Sequence, residues 1–358
     1  MTAWTLPPLS VGEFAPGFAA PTRSNAAFHF NTLAGRYVLL AFLPSDPVRR
    51  SEALEAFKAV RPRFDDRVAT AFFCAGASDP DSAPADQIPG QRWFFDPDGS
   101  VSRLYGAGED PPGWILLDPA LRVLGRAALT EPQALFALIN DLGSVDAHAG
   151  AAISAPVLIV PRVFDSALCR RLIAHYDAQG GQPSGVMRDV DGKTVGVLDR
   201  MKNRRDVNVD AIPELRAEIM GRLERALIPL IQRAYQFRAT RLERYLVACY
   251  DAAEGGYFRP HRDNETFGTA HRRFAVSINL NAEDYEGGDL RFPEFGSRTY
   301  RPPTGGAVVF CCSLLHEATA VTRGRRYAFL PFLYDEDGQK IREANLSRFP
   351  DAAPAAGS

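Results

Sequence analysis

Between Thr240 and Asp337 the chain runs as a string of short strand-like pieces, each closed by a turn signal. "RLERYLVACY", "GYFRPHRD", "RFAVSINLN", "GGDLRFPE", "GAVVFCCS", "LHEATAVT" and "RRYAFLPFLYD" follow one another, with "AEGG", "EGG", "PPTGG" and "TRGR" among the breaks. A region punctuated this closely buries its apolar residues as a sandwich or barrel of strands.

The first 145 residues are built differently. "YVLLAFL" (37–43) and "VATAFFC" (68–74) are continuous apolar runs, with the helix-like "SEALEAFKAV" (51–60) between them. Runs of that kind suit strands covered on both faces, in an α/β layer arrangement. "RWFFDPDGSVSRLYG" adds a turn at Asp96–Gly99, "GWILLDPALRVLGRAAL" reads as two strands about Asp118-Pro119, and "EPQALFALINDLG" reads as a helix stopped at Gly143. At 358 residues, two domains are the natural division. The expected boundaries are an α/β domain over 1–145 and a linker over 146–155. A second domain follows over 156–345, with its β core at 240–337, and then a disordered tail at 346–358. The second domain opens on "FDSALCRRLIAHYDAQGG", a helix capped at Asp165 or Ser166, and Pro229 should kink or divide a second helix over 214–234.

With a formal net charge of -2, the chain has no global attraction for nucleic acid or anionic membrane. No apolar run is long enough to span a bilayer, and "MTAWTLPPLSVGEF" lacks a basic segment followed by an apolar one, so a cytoplasmic setting is expected. Five cysteines without C-x-x-C spacing suggest reduced thiols rather than a disulfide framework. Cys311 and Cys312 are adjacent, and a disulfide between them would be strained.

The chemistry concentrates in the second domain. In "YFRPHRDNET", His261 and Asp263 stand two apart, which on one strand puts both side chains on one face. That spacing alone is weak, but His316 follows in "SLLHEATAV" and Arg326 ten residues later. Two imidazoles and one carboxylate with open positions form the facial site of non-haem Fe(II) oxygenases. A guanidinium across the next strand suits a carboxylate-bearing co-substrate.

With these residues in view, Leu246–Asp337 resembles the 2-oxoglutarate and Fe(II) dependent dioxygenases, in their prolyl 4-hydroxylase-like branch. The resemblance rests on "LVACYDAAEGGYFRPHRDN", "INLN", "EGGDLRF", "GGAVVF", "LLHEATAVTRGRRYAF" and "LYDED" in that order. It implies a double-stranded β-helix (jelly-roll) fold and hydroxylation of a C–H bond with release of succinate and carbon dioxide. Fe(II), 2-oxoglutarate and dioxygen would be required, with ascorbate as an optional reductant. It also implies iron ligands at His261, Asp263 and His316, and 2-oxoglutarate contacts at Arg326, Tyr250 and Asn279. Neutral imidazoles are needed for ligation, so activity should fall below about pH 6–6.5.

The order of elements over Val11–Leu142 resembles the peroxiredoxin branch of the thioredoxin-like fold, but "LPSDPVRRSEAL" stands where that family places its reactive cysteine. The first cysteine is Cys74, at the end of a core strand. This half therefore reads as a binding or scaffolding domain, with roles in recruiting substrate, pairing two chains or bracing the barrel all open. His271 is set in a loop within reach of substrate, or exposed; Arg325 faces away from Arg326. "KNRRDVNVD" is a solvated charge run or part of the substrate mouth, and His29, His148 and His175 lack partners at any ligand spacing. The rival to an enzyme is a scaffold built from two retired catalytic domains. The substrate, whether protein, peptide or small molecule, is not legible.

Overall fold

The computed structural model describes residues 9–76, 84–106 and 113–349. Its chain divides into two compact units, residues 1–155 with 293–297, and residues 156–292 with 298–358.

In the first unit β1 (Tyr37–Phe42), α1 (Pro47–Phe57), β2 (Ala69–Ala75), β3 (Gln91–Phe95), α2 (Ser100–Leu104), β4 (Gly113–Leu117), β5 (Val123–Ala127) and α3 (Gln133–Asn140) follow in order. The strands form one sheet, β3-β2-β1-β4-β5, parallel over its first three members and antiparallel over the rest. β1 and β2 are buried along their whole length, as their unbroken apolar runs require. Phe57, Phe73, Trp93, Trp114 and Phe136 fill one face of the sheet. Asp46, in the segment where the peroxiredoxin resemblance would place a reactive cysteine, caps α1 by accepting from the Arg49 N–H at 2.8 Å. Cys74 is buried, and burial together with Asp96 pushes its thiol well up, so it is a core residue and not a nucleophile.

In the second unit the order is β6 (Leu158–Val160), α4 (Ser166–Gln179), a hairpin of β7 (Val186–Val190) and β8 (Lys193–Val197), β9 (Lys202–Asn203), β10 (Arg205–Asn208), α5 (Pro213–Ala226) and α6 (Ile228–Tyr235). Then come β11 (Arg241–Glu243), β12 (Leu246–Asp251), β13 (Tyr257–His261), β14 (Phe274–Asn279), β15 (Leu290–Arg291), β16 (Ala307–Cys311), β17 (His316–Ala318), β18 (Arg325–Phe329), β19 (Phe332–Tyr334) and α7 (Glu336–Ala344). The larger sheet runs β11-β19-β14-β18-β12-β10, and β16 joins it on β14. The smaller runs β9-β13-β17-β15.

Period-two alternation assigns the faces of the larger sheet. Val247 and Cys249, Phe274, Val276 and Ile278, and Tyr327 and Phe329 all belong to the core that α4, α5 and α6 cover. Their alternates Ala248 and Tyr250 point the other way, and cluster with Phe258 and Ala318 of the smaller sheet. The polar residues Ser277 and Arg326 share that inner face, since each neighbours a residue committed to the helical side.

Several sequence expectations are corrected. "RLERYLVACY" is two strands, because Arg244 adopts φ +69°, a left-handed conformation unfavourable for a branched-off L side chain. "RRYAFLPFLYD" breaks into β18 and β19 around Pro331. The long second helix does divide, as expected from Pro229, with the break at Leu227 two residues earlier, because the proline ring cannot coexist with the carbonyl four residues before it. Hairpin β7–β8 carries no clear strand signal in the sequence, since its strands are half exposed and lack apolar alternation. Residues 346–349, expected in the disordered tail, carry a 3-10 turn at Leu346–Arg348; the Lys193 ammonium bonds the Ser347 carbonyl at 2.8 Å and the Arg348 guanidinium lies over Phe267. The rest of that tail lies outside the described residues. The expected linker includes part of a 3-10 turn, Val145–Ala147.

Candidate metal centre and its surroundings

His261 ends β13 and His316 begins β17, and the antiparallel register sets them directly opposite one another after an irregularity in the pairing. Asp263 lies just past the strand rather than in it; its N–H bonds the Cys312 carbonyl at 2.9 Å, which turns the carboxylate back toward both imidazoles. The three side chains each bring one ligand atom within 4.8 Å of the others. His316 Nε2 stands 3.3 Å from one Asp263 oxygen, and His261 Nε2 stands 3.6 Å from the other.

Each ring is oriented by its second nitrogen. His261 Nδ1 is 2.7 Å from the Arg259 carbonyl and His316 Nδ1 is 3.0 Å from the Leu314 carbonyl, so both Nδ1 atoms carry the proton and donate it. Both Nε2 lone pairs are thereby left facing Asp263, the tautomer a metal requires. Burial, and then His316, lowers the His261 imidazole to about 4, so it is neutral near pH 7. Burial raises the Asp263 carboxyl, but His316 and His261 reverse this and hold it well below the usual range. Phe258 stacks on the His261 ring at 3.4 Å, and Phe310 and Phe292 lie 4.5 and 6.2 Å from the His316 ring. The centre is thus walled by aromatic carbon.

Arg326 lies on the inner face of β18, 2% exposed. One guanidinium nitrogen donates to Ser277 Oγ at 2.9 Å, while Nε and the other terminal nitrogen are buried without a partner. The Tyr285 hydroxyl is also buried and unpartnered, and the Tyr250 ring centroid is 5.1 Å from the guanidinium carbon. Each unmade buried hydrogen bond costs about 1–3 kcal/mol, more for a charged group, so this arrangement suits a carboxylate that supplies the missing acceptors. Arg325, on the opposite face, is exposed and pairs with Asp251 at 2.7 Å.

The other expected contacts divide. Tyr250 borders Arg326, but its hydroxyl accepts from Arg204 at 3.3 Å. Asn279 shares the inner face, yet its amide donates to the Pro302 carbonyl at 2.7 Å, and Ser277 is the residue that touches Arg326. His271 is neither exposed nor in the mouth: it is 1% exposed, with Nε2 2.7 Å from a Glu243 oxygen. That same carboxylate accepts from Arg272 through Nε at 3.0 Å and NH2 at 2.5 Å, and Arg272 NH1 reaches the Asp263 carbonyl at 3.3 Å. Glu243 and Arg272 therefore brace the loop that carries the carboxylate ligand. Cys311 and Cys312 are both free thiols, raised by burial, with no disulfide between them.

The charge run "KNRRDVNVD" is not a solvated face. Arg204 is 6% exposed and pairs with Asp206 through two bonds of 2.7 Å, and the Lys202 ammonium is held by Ser184 Oγ at 2.6 Å and the Gly185 carbonyl at 2.8 Å. The alternation Lys202, Arg204, Asp206 was the available signal: residues two apart share a face of a strand.

Residues 245–334 match the family model described as the 2OG-Fe(II) oxygenase superfamily. A PKHD-type hydroxylase of Synechococcus sp. (strain JA-2-3B'a(2-13)) is 32% identical over 149 residues, covering 39% of this chain and 64% of that protein. One from Pseudomonas fluorescens (strain Pf0-1) is 38% identical over 106 residues, covering 26% and 46%. This chain thus spans less than two thirds of either relative. Among solved structures, a Pseudomonas putida prolyl-4-hydroxylase aligns at 19% identity and TM-score 0.40 over 51% of this chain and 93% of that one. Among the described residues no helix is long and apolar enough to cross a membrane.

Proposed function

We propose that the protein is an Fe(II) and 2-oxoglutarate dependent dioxygenase that hydroxylates a C–H bond, prolyl-hydroxylase-like, with release of succinate and carbon dioxide. The observation that carries this reading is a two-histidine, one-carboxylate set on the smaller sheet together with a buried arginine with unpartnered donors on the inner face of the larger sheet, the inner faces of the two sheets sharing one cluster. The donor set fits Fe(II): both rings donate through Nδ1 and turn Nε2 toward Asp263, Asp263 is ionised, and three ligands leave positions for a bidentate keto acid and dioxygen. When bound, the iron and keto acid supply the oxidising power for C–H cleavage.

The residues of the chain do the rest. His261, Asp263 and His316 would hold the metal, and the Arg259 and Leu314 carbonyls fix the ring tautomers. Arg326 would grip the far carboxylate of 2-oxoglutarate, with Ser277 orienting its guanidinium and Tyr285 offering a hydroxyl. Phe258, Phe292 and Phe310 exclude water from the ligand set. The facing sheets support the double-stranded β-helix reading, and the parallel-antiparallel sheet of the first unit supports a thioredoxin-like domain without a reactive cysteine. Anaerobic addition of Fe(II) and 2-oxoglutarate should produce a weak visible charge-transfer band; a protein that binds neither would instead be the scaffold.

A further inference from the structure

Lys202 is one of only four lysines in the chain, and it alone is not exposed. It lies opposite Phe258 in the β9–β13 pair, so both side chains share the inner face, and its ammonium is 5.0 Å from the centroid of the ring that stacks on His261. A cavity of about 420 Å³ is lined by Ser184, Asp199, Arg200, Lys202, Arg204 and Tyr257. Among the neighbouring cations, Arg204 pairs with Asp206, Arg272 with Glu243 and Arg188 with Asp199. Lys202 has only neutral acceptors, Ser184 Oγ and the Gly185 carbonyl, which occupy two of its three protons.

We propose that this cavity is a substrate subsite in which Lys202 grips a carboxylate of the molecule to be hydroxylated. A carboxylate oxygen would accept the one remaining ammonium proton in a charge-assisted hydrogen bond. Burial and then the charge of Arg204 lower the ammonium of Lys202 to about 6, and a bound carboxylate would restore its charge. The substrate class would be a free amino acid or a peptide bearing an acidic side chain or C-terminal carboxylate. This inference rests on the proposed reaction for its meaning, but not for its first test.

That test is acetylation of the iron-free full chain by acetic anhydride at pH 7, read by peptide mass spectrometry, with Lys58, Lys193 and Lys340 as exposed references. A capped Pro-Glu peptide or free glutamate should slow labelling of Lys202 at least tenfold, and a Pro-Gln peptide should not; which of the two protects distinguishes peptide from amino acid. Equal protection by acid and amide, protection only by a phosphorylated peptide, or equal protection by 2-oxoglutarate would overturn the proposal. In turnover, Lys202→Met should raise KM for a carboxylate substrate about tenfold or more and abolish the acid-over-amide preference, with kcat less affected. Lys202→Arg should restore part of it, and exposed Lys340→Met should keep it. An unchanged preference in Lys202→Met would also overturn it. Absence of succinate from every substrate, with Lys202 still protected, would refute the dioxygenase reading and leave the subsite standing.

Discussion

Replacing Glu243 by glutamine should cost the second unit about 3 kcal/mol and loosen the metal loop. Glu243 is 15% exposed at its side chain and Arg272 9%, so the pair is too buried for solvent to screen. Its carboxylate accepts three hydrogen bonds, two from Arg272 and one from His271. Glutamine keeps one carbonyl acceptor and turns an NH2 group toward donors, leaving the guanidinium without a counter-charge. Removing one partner of a buried pair costs about 3–5 kcal/mol, and the retained acceptor puts glutamine at the lower end. With an m-value of about 2 kcal/mol/M, the urea midpoint falls by about 1.5 M. All three tryptophans lie within the first 114 residues, so fluorescence follows the first unit and should not move. Far-UV circular dichroism carries the shifted transition of the second. Burial raises the Glu243 carboxyl, but Arg272 and His271 reverse this and hold it well below its ordinary range. Its contribution is therefore complete above the unfolded value of about 4.3 and lost as pH falls below it, so the gap between wild type and Glu243→Gln should narrow from pH 7 toward pH 3. A midpoint matching wild type within about 0.5 kcal/mol, or a gap that does not change with pH, would refute the bracing role.

Arg326→Met should retain iron but weaken 2-oxoglutarate roughly 10–100-fold, the value of one or two charge-assisted hydrogen bonds, as measured by anaerobic calorimetry. Gly288→Ala should both destabilise the second unit by about 1–2 kcal/mol and weaken 2-oxoglutarate: its φ is +68°, and a Cβ there would stand 2.7 Å from Val321 and 3.2 Å from Arg326 Cδ. The same calorimetry paired with a urea series separates the two effects. Asp263→Ala should abolish stoichiometric iron in the purified protein while leaving the fluorescence transition of the first unit in place.

What could be read from the chain alone followed from short-range geometry. His261, Asp263 and His316 are each flagged by residue type, and the alternation of β18 separates Arg326 from Arg325. What could not be read depends on backbone choices that no period reveals. Arg244 at positive φ splits one apparent strand into two, and with it places Glu243 beside His271 and Arg272. Asn279 and Ser277 share a face, so alternation cannot say which of them meets Arg326; the Pro302 carbonyl takes the asparagine. A run of mixed charges has the same composition whether solvated or paired, and Arg204 with Asp206 proves paired.

Succinate formed from 2-oxoglutarate by the Fe(II)-loaded chain, with and without dioxygen, tests the central claim most directly. The expected result is succinate that requires both iron and oxygen and is lost in folded His261→Ala protein. Succinate made at the wild-type rate by that variant would contradict it.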